Sequence, residues 1–335
     1  MSLLRQIPPT SYTLQNILIS MSTIVLSVSS LMFTTVIVLP LSIARVLIPR
    51  RIKANALSSR CDTNTRNQRK VVLIIGASRG IGYGVVREYA VETGTTIIAV
   101  SKTMENLKGM ATELGPTNAR LILKNLDISG SPGEIAQTVK QLDEECGPIT
   151  HLYAISGISN HLDDKRPWNL DVSVEMISVN VTGIVTVVLA TFDRMKARKF
   201  GTICIVGSAA GLFNPANMIT YASTKAFINT FASSLRILAL EHNVEVITVT
   251  PGFIDTRMTS RMRGQGSTVP AFEFASAQEM ARQMKKGVEG GGTGVIGWPT
   301  RQAIMMYALR GLNPICEDLG RLVSYVARVA GNKTT

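Results

Sequence analysis

The sequence predicts an α/β protein: one doubly wound parallel sheet with helices on both faces, preceded by an N-terminal transmembrane helix. Three observations predict it. Short β-branched runs alternate with amphipathic stretches from residue 70 to about residue 300. A glycine-rich turn follows the first of those runs, and an uncharged apolar stretch precedes them all. With 45% apolar residues, no repeat and no low-complexity tract in 335 residues, the chain belongs among folded proteins and not disordered ones.

Residues 1–16 are a short flank carrying Arg5, and residues 17–43 are the anchor. No charged residue lies between Arg5 and Arg45. As a helix, the run from Ile17 to Ile43 is about 40 Å long, enough for one tilted crossing of a hydrocarbon core of about 30 Å and too little for two. A cleaved signal peptide has a shorter apolar core, about 7–15 residues, and a small-residue cleavage site. Here the run is longer, and Pro40 and then Arg45, Arg50, Arg51 and Lys53 follow, which favours a retained anchor over a signal peptide, a helical hairpin or a segment lying in one leaflet. The basic linker, 44–69, continues the charge: residues 45–70 carry eight Lys or Arg against one acid, Asp62, and so most of the net charge of +12. By the positive-inside rule the long C-terminal part faces the cytoplasm, and a basic stretch beside anionic headgroups explains the charge without a nucleic-acid partner. Cys61, Cys146, Cys204 and Cys316 form no CxxC pair, and His151, His161 and His242 are equally scattered, so neither a disulfide framework nor a metal site is expected.

From residue 70 the pattern is strand then helix. KVVLII (70–75) suits a buried parallel strand, and IGYGVVREYAVETG (81–94) has helical apolar spacing with a closing glycine. TTIIAV (95–100), a helix around 104–114, RLILKNLD (120–127), a helix around 132–145 and ITHLYAIS (149–156) follow. A helix near 171–197, the strand GTICIVGS (201–208), a helix beginning near Tyr221 and the strand VEVITVTPG (244–252) continue the series, and GVIGWP is the last strand. Ligands in such sheets bind at the carboxyl ends of the strands, so the strand-to-helix junctions are where chemistry is sought.

The first junction reads GASRGIG, with Gly76, Gly80 and Gly82. Glycines there let the backbone approach a pyrophosphate, whose charge the amides of the next helix favour. At the end of the second strand an acid would read the ribose of NAD; the chain has Ser101 and Lys102 instead, with Arg79 in the first turn. Two cations near the 2′ position favour NADP(H) over NAD(H).

Tyr221 and Lys225 in YASTK are one helical turn apart, and Ser208 precedes Tyr221 by thirteen residues. With the glycine turn, these make residues 70–300 resemble the short-chain dehydrogenase/reductase family, whose fold is a single Rossmann-type sheet. The resemblance implies that Asn180 in SVNVTG, Ser208, Tyr221 and Lys225 are the catalytic set. It implies that Gly76, Ser78, Arg79, Gly80, Ile81 and Gly82 cradle the cofactor, that Lys102 takes its 2′ end, and that Asp127 and Ile128 flank its adenine. Gly157, Pro251, Gly252, Ile254 and Thr256 then contact the nicotinamide half together with Tyr221 and Lys225. The chain departs from the family at AISG, Ala154 to Gly157, where most members have NNAG, and at Ile75, where the leading threonine is replaced.

The implied chemistry is reduction of a ketone. A phenol with an ordinary pKa near 10 needs help to act as an acid or base at neutral pH; Lys225 supplies it electrostatically and, in the family, holds the nicotinamide ribose. Ser208 donates to the substrate oxygen, and Asn180 holds a water that links Lys225 to solvent. Ser208 lies in GSAAG and not GxSxG, which argues against a serine hydrolase. The loop 257–274 mixes Arg257, Arg261 and Arg263 with Met258, Met262, Phe272 and Phe274 and is where specificity is expected, for an amphiphile with an anionic end or as an ordinary surface loop. SAQE (276–279) offers a capping box for the helix that follows. Residues 301–335 are an amphipathic extension that lies on the membrane or packs against protein. An anchored member implies a lipophilic substrate and a place in the endoplasmic reticulum membrane; membrane-bound relatives act on 3-ketosphinganine, acyl-dihydroxyacetone phosphate, 3-ketoacyl thioesters, steroids or retinoids. An NAD-linked alcohol dehydrogenase of a steroid or retinoid and a nucleotide-binding scaffold are the alternatives, and a homo-oligomer stays open because the family is often dimeric or tetrameric.

Overall fold

A computed structural model describes residues 13–47, 69–159, 168–264, 274–291 and 294–309. The flank up to residue 12, the linker from 48 to 68, the loop from 265 to 273 and the extension from 310 on lie outside the described residues, and with them Cys61, His161, Phe272 and Cys316. The chain divides into an N-terminal helical unit and a unit that begins at Arg69.

In the N-terminal unit α1 (Thr13–Phe33) runs through a π-helical turn, Thr34–Val38, into α2 (Leu39–Leu47). Pro40 has no N–H to donate and its ring crowds the carbonyl four residues back; the wider turn ahead of it accommodates both defects, so the helix passes the proline. Thr23, Ser29 and Thr35 each donate a hydroxyl to the carbonyl four residues earlier, at 2.8, 2.9 and 2.8 Å. These three hydroxyls are thereby satisfied within the helix, as hydrocarbon surroundings would demand. Ile17–Leu41, with mean hydropathy 2.2, is long and apolar enough to cross a membrane. Leu170–Arg198 passes the same test of length and composition, but its Val187, Val188 and Met195 are buried in a protein core.

In the second unit the sheet is wholly parallel. Its strands are β1 (Val71–Ile75), β2 (Thr96–Ser101), β3 (Arg120–Asn125), β4 (His151–Ala154), β5 (Gly201–Val206), β6 (Val244–Pro251) and β9 (Val295–Trp298), in the order β3-β2-β1-β4-β5-β6-β9. A two-residue pair, β7 (Ile254–Asp255) and β8 (Ala275–Ser276), lies apart from it. The helices are α3 (Gly80–Ala90), α4 (Met104–Leu114), α5 (Pro132–Glu145), α6 (Leu170–Ile177), α7 (Ile184–Arg198), α8 (Ala210–Phe213), α9 (Ile219–Ala239), α10 (Arg257–Gly264), α11 (Ala277–Gly290) and α12 (Thr300–Leu309). A second π-helical turn, Ser178–Gly183, joins α6 to α7.

Every residue of β1 is buried, and strand alternation sends Val71, Leu73 and Ile75 into one core and Val72 and Ile74 into the other. The first core takes α5, α7 and α9 through Val139, Val187 and Ile228; the second takes α3 and α11 through Val85, Tyr89, Met280 and Met284. The strand order turns back at β1, since β2 and β3 build to one side and β4 to the other. That reversal opens a crevice at the carboxyl ends of β1 and β4, where ligands of such sheets bind.

Several boundaries differ from the sequence reading, two of them instructively. β4 stops at Ala154 because the N–H groups of Ile155 and Ser156 both turn to the Ile75 carbonyl, at 3.1 and 2.9 Å, and leave the ladder. The extension begins inside the fold: α12 starts at Thr300, and its Gln302 and Ala303 are buried. The capping box at Ser276 and Glu279 is formed as expected.

Candidate active site

At the end of β1 the chain must reverse within one turn and start α3. Gly76 has φ +91°, and a Cβ there would lie 2.8 Å from Ser156 Oγ; a Cβ on Gly82 would lie 2.0 Å from the Gly76 carbonyl oxygen. Both positions exclude side chains, so the turn is tight and the first amides of α3 open on the crevice, a cradle shaped for phosphate. The crevice holds a cavity of about 390 Å³, within the range of small-molecule sites. Of the catalytic and cofactor-binding residues named from the sequence, all line it except Gly82, which packs the turn, and Asn180, which lies behind.

α9 presents Tyr221, Lys225 and Asn229 one turn apart on one face, and β5 delivers Ser208 to them. A side-chain hydrogen bond joins Ser208 to Tyr221. Burial raises the Tyr221 phenol above its ordinary value, and the bond from Ser208 opposes that rise. Lys225 is 3% exposed, its Nζ donates to the Val206 carbonyl at 3.0 Å, and burial pushes the ammonium down to about 8. Its Nζ lies 6.0 Å from the centre of the Tyr221 ring. The bond from Ser208 thus favours the phenolate, with the buried Lys225 beside the ring.

Asn180 is fully buried in the π-helical turn. Its Oδ1 accepts from the Ile158 N–H at 2.8 Å, and its Nδ2 donates to the Ile158 carbonyl at 2.9 Å and to Thr224 Oγ1 at 3.1 Å. These bonds pin the turn that carries Gly157 beside Lys225. A Cβ on Gly157 would come within 3.2 Å of Lys225 Nζ.

At the β2 end, Ser78 and Ser101 share a hydrogen bond of 3.0 Å, which ties the glycine turn to the strand. Lys102 Nζ lies 2.8 Å from Asp127 Oδ2, and Ser129 donates its N–H and hydroxyl to Asp127 Oδ1 at 2.9 and 2.7 Å. Burial works to raise the Asp127 carboxyl, but the bonds from Lys102 and Ser129 outweigh it and hold the group below its usual value. Lys102 is thus engaged by Asp127. Arg79, over the turn, is lowered from its ordinary value by burial and then by Arg257 and Arg261.

Two groups escaped the sequence reading. Asn229 accepts from the Ser208 N–H at 3.4 Å and donates to its carbonyl at 3.0 Å. Its place eight residues after Tyr221 was the available signal. Gln302 accepts from the Phe253 N–H at 2.7 Å, which fixes the segment carrying Thr256. Nothing local in the sequence links Gln302 to the site. Among the described residues no cluster of His, Cys, Asp or Glu is placed to hold a metal.

Comparison with known proteins agrees with this geometry. Residues 70–266 match a family model described as short chain dehydrogenase. A 3-oxoacyl-(acyl-carrier-protein) reductase FabG of Vibrio harveyi is 31% identical over 223 residues, covering 63% of this chain and 86% of that protein. A short-chain dehydrogenase from Sphingobium yanoikuyae in complex with NADPH superposes with a TM-score of 0.61 at 22% identity, over 72% of this chain and 92% of that one. An NAD+-bound xylitol dehydrogenase superposes with a TM-score of 0.60 at 21% identity, over 69% of this chain and 98% of that one.

Proposed function

The chain belongs to the short-chain dehydrogenase family and is an NAD(P)-dependent oxidoreductase of ketone or alcohol groups, and from that premise we propose that it is a membrane-anchored, NADPH-dependent reductase of a ketone on a lipophilic substrate, with Tyr221 as the general acid. The observation that carries the reading is the hydrogen-bonded Ser208–Tyr221 pair, with buried Lys225 one turn away, in the crevice that the glycine turn opens.

The glycine turn and the start of α3 fit a dinucleotide's phosphates, and the cofactor supplies a hydride when bound. Everything else falls to the chain. Ser208 donates to the carbonyl oxygen and stabilises the charge that develops on it. Tyr221, kept protonated by burial at neutral pH, gives its proton to that oxygen. Lys225, with an ammonium that titrates near 8, lends positive charge beside the phenol as the proton leaves. Asn180 and Asn229 hold the two backbone segments that carry Gly157 and Ser208.

Arg79 above the turn and the lack of an acid at the end of β2 support NADPH over NADH. Ile17–Leu41 and the basic stretch after it support the anchor, and a substrate drawn from lipid follows from it. The endoplasmic reticulum is the membrane where such lipid reduction belongs. Tyr221→Phe keeps the ring and loses the proton; turnover of a panel of lipid ketones should fall at least about 100-fold while NADPH affinity stays within about twofold. Turnover that survived the substitution would overturn the mechanism.

A further inference from the structure

The segment that leaves β6 lines the crevice with Gly252, Ile254 and Thr256, yet two of its amides are held from behind, by the corner where β9 meets α12. The Gly252 N–H donates to the Trp298 carbonyl at 2.8 Å, and the next amide, that of Phe253, donates to Gln302 Oε1 at 2.7 Å. Gln302 is 5% exposed and belongs to the first turn of α12. It sits so close that a Cβ on Gly252 would lie 2.2 Å from its Oε1. α12 is itself seated tightly on β9, since a Cβ on Gly297 would lie 2.5 Å from that of Ala303. This helix lies beyond residues 70–266, which match the family. The held segment leads to both hydroxyls of the site. The Pro251 carbonyl accepts from the N–H of Ala209, next to Ser208, at 2.9 Å. Phe253 and Tyr221 pack against one small apolar cluster, Met218, Ala222 and Met262.

Resting on the reading of Ser208 and Tyr221 above, we infer that Gln302 is a positioning residue for hydride transfer. Through the Phe253 N–H it fixes the spacing between the crevice floor, at Gly252 and Ile254, and the Ser208 and Tyr221 hydroxyls. Its own side chain stays behind the backbone, outside the residues that line the crevice. Without the acceptor, a buried N–H loses its partner and the segment must shift to recover one. Hydride transfer requires reacting atoms about 3–3.5 Å apart, so a small shift of this floor costs rate before it costs binding.

The test compares full-length wild type with Gln302→Met, which keeps the length and removes the acceptor, and Gln302→Glu, which keeps an oxygen at the same reach. With a lipid ketone that the wild type reduces, Gln302→Met should lower kcat about tenfold while NADPH affinity, read by cofactor fluorescence, stays within about twofold. The isotope effect on kcat, with NADPH deuterated at the transferred hydrogen, should rise, and Gln302→Glu should restore most of the rate. In the unliganded chain, amide hydrogen exchange across residues 251–256 should quicken about tenfold in Gln302→Met and return in Gln302→Glu. An unchanged kcat in Gln302→Met would overturn the assignment, whatever the exchange showed. A loss of NADPH affinity equal to the loss of kcat would also overturn it, and make Gln302 a support for cofactor binding alone. A lowered thermal midpoint with an unchanged isotope effect would reduce it to a structural residue. Gln302→Asn keeps the amide and shortens its reach, and should behave as Gln302→Met does if the methionine protein folds poorly. The isotope effect reads the hydride and the exchange reads the backbone, so failure here is separate from a failure of Tyr221 as the acid.

Discussion

Burial acts on Tyr221 and Lys225 in opposite directions, raising the phenol and lowering the ammonium to about 8. At neutral pH the phenol therefore holds its proton, as a reductase needs, and the lysine charge is lost as pH rises through about 8. The hydrogen bond from Ser208 is what keeps the phenol from rising further, and Ser208 owes its place to Asn229, which grips both its N–H and its carbonyl. Gly207 and Gly211 leave room for that grip; a Cβ on Gly207 would lie 1.8 Å from Asn229 Oδ1. Asn229→Ala should lower kcat about tenfold with NADPH affinity retained, an amount in keeping with one or two lost hydrogen bonds of about 1 kcal/mol each. The diagnostic sign lies in the pH profile of kcat: with Ser208 loosened, the phenol titrates higher and the limb that Tyr221 governs moves to higher pH. A merely structural residue would lower the thermal midpoint and leave that limb where it was.

At the scale of elements, α3, β4 and α11 are joined by a polar cluster at the opposite end of the strands from the crevice. Tyr89 Oη bonds Tyr153 Oη and Glu289 Oε1, each at 2.9 Å, and Lys70 reaches Glu92 and Glu289 at 3.0 and 2.9 Å. His151 opens β4 beside this cluster, its Nδ1 2.8 Å from Thr150 Oγ1, and burial pushes its imidazole down to about 4. A folded value below the ordinary 6.5 means that the neutral ring's contribution is complete above pH 6.5 and is lost as pH falls through about 4; the shift corresponds to about 3 kcal/mol. His151→Gln should therefore flatten the loss of thermal stability between pH 6.5 and 4, and equal slopes for the two proteins would remove His151 as the cause. The alternation of strand and helix, the glycine turn and the YASTK spacing were all readable, because each is a local pattern. The π-helical turn around Asn180 was not, since SVNVTG reads as ordinary helix. Nor was the Lys102–Asp127 pair, which only the pairing of neighbouring strands brings together.

For the whole molecule the governing asymmetry is charge. Ile17–Leu41 carries none, and the stretch after it is dense in arginine and lysine. A helix of that length, with Thr23, Ser29 and Thr35 bonded to its own backbone, suits hydrocarbon, and the basic side of a membrane helix stays on the cytoplasmic face. The unit from Arg69 on should then stand in the cytosol, where the free cysteines Cys146 and Cys204 remain reduced and NADPH is at hand. In sealed microsomes, protease added from outside should digest that unit without detergent, and alkaline carbonate should fail to extract the intact chain. Moving the basic residues 45–70 to the N-terminal side of the helix should invert the outcome, because their number sets the orientation. If the native chain were protected until detergent was added, the catalytic unit would face the lumen, and the cytosolic cofactor supply would go with it. If carbonate released the chain, the helix would be a surface segment and the inference of a membrane-derived substrate would fall, while the Ser208, Tyr221 and Lys225 chemistry would stand untouched.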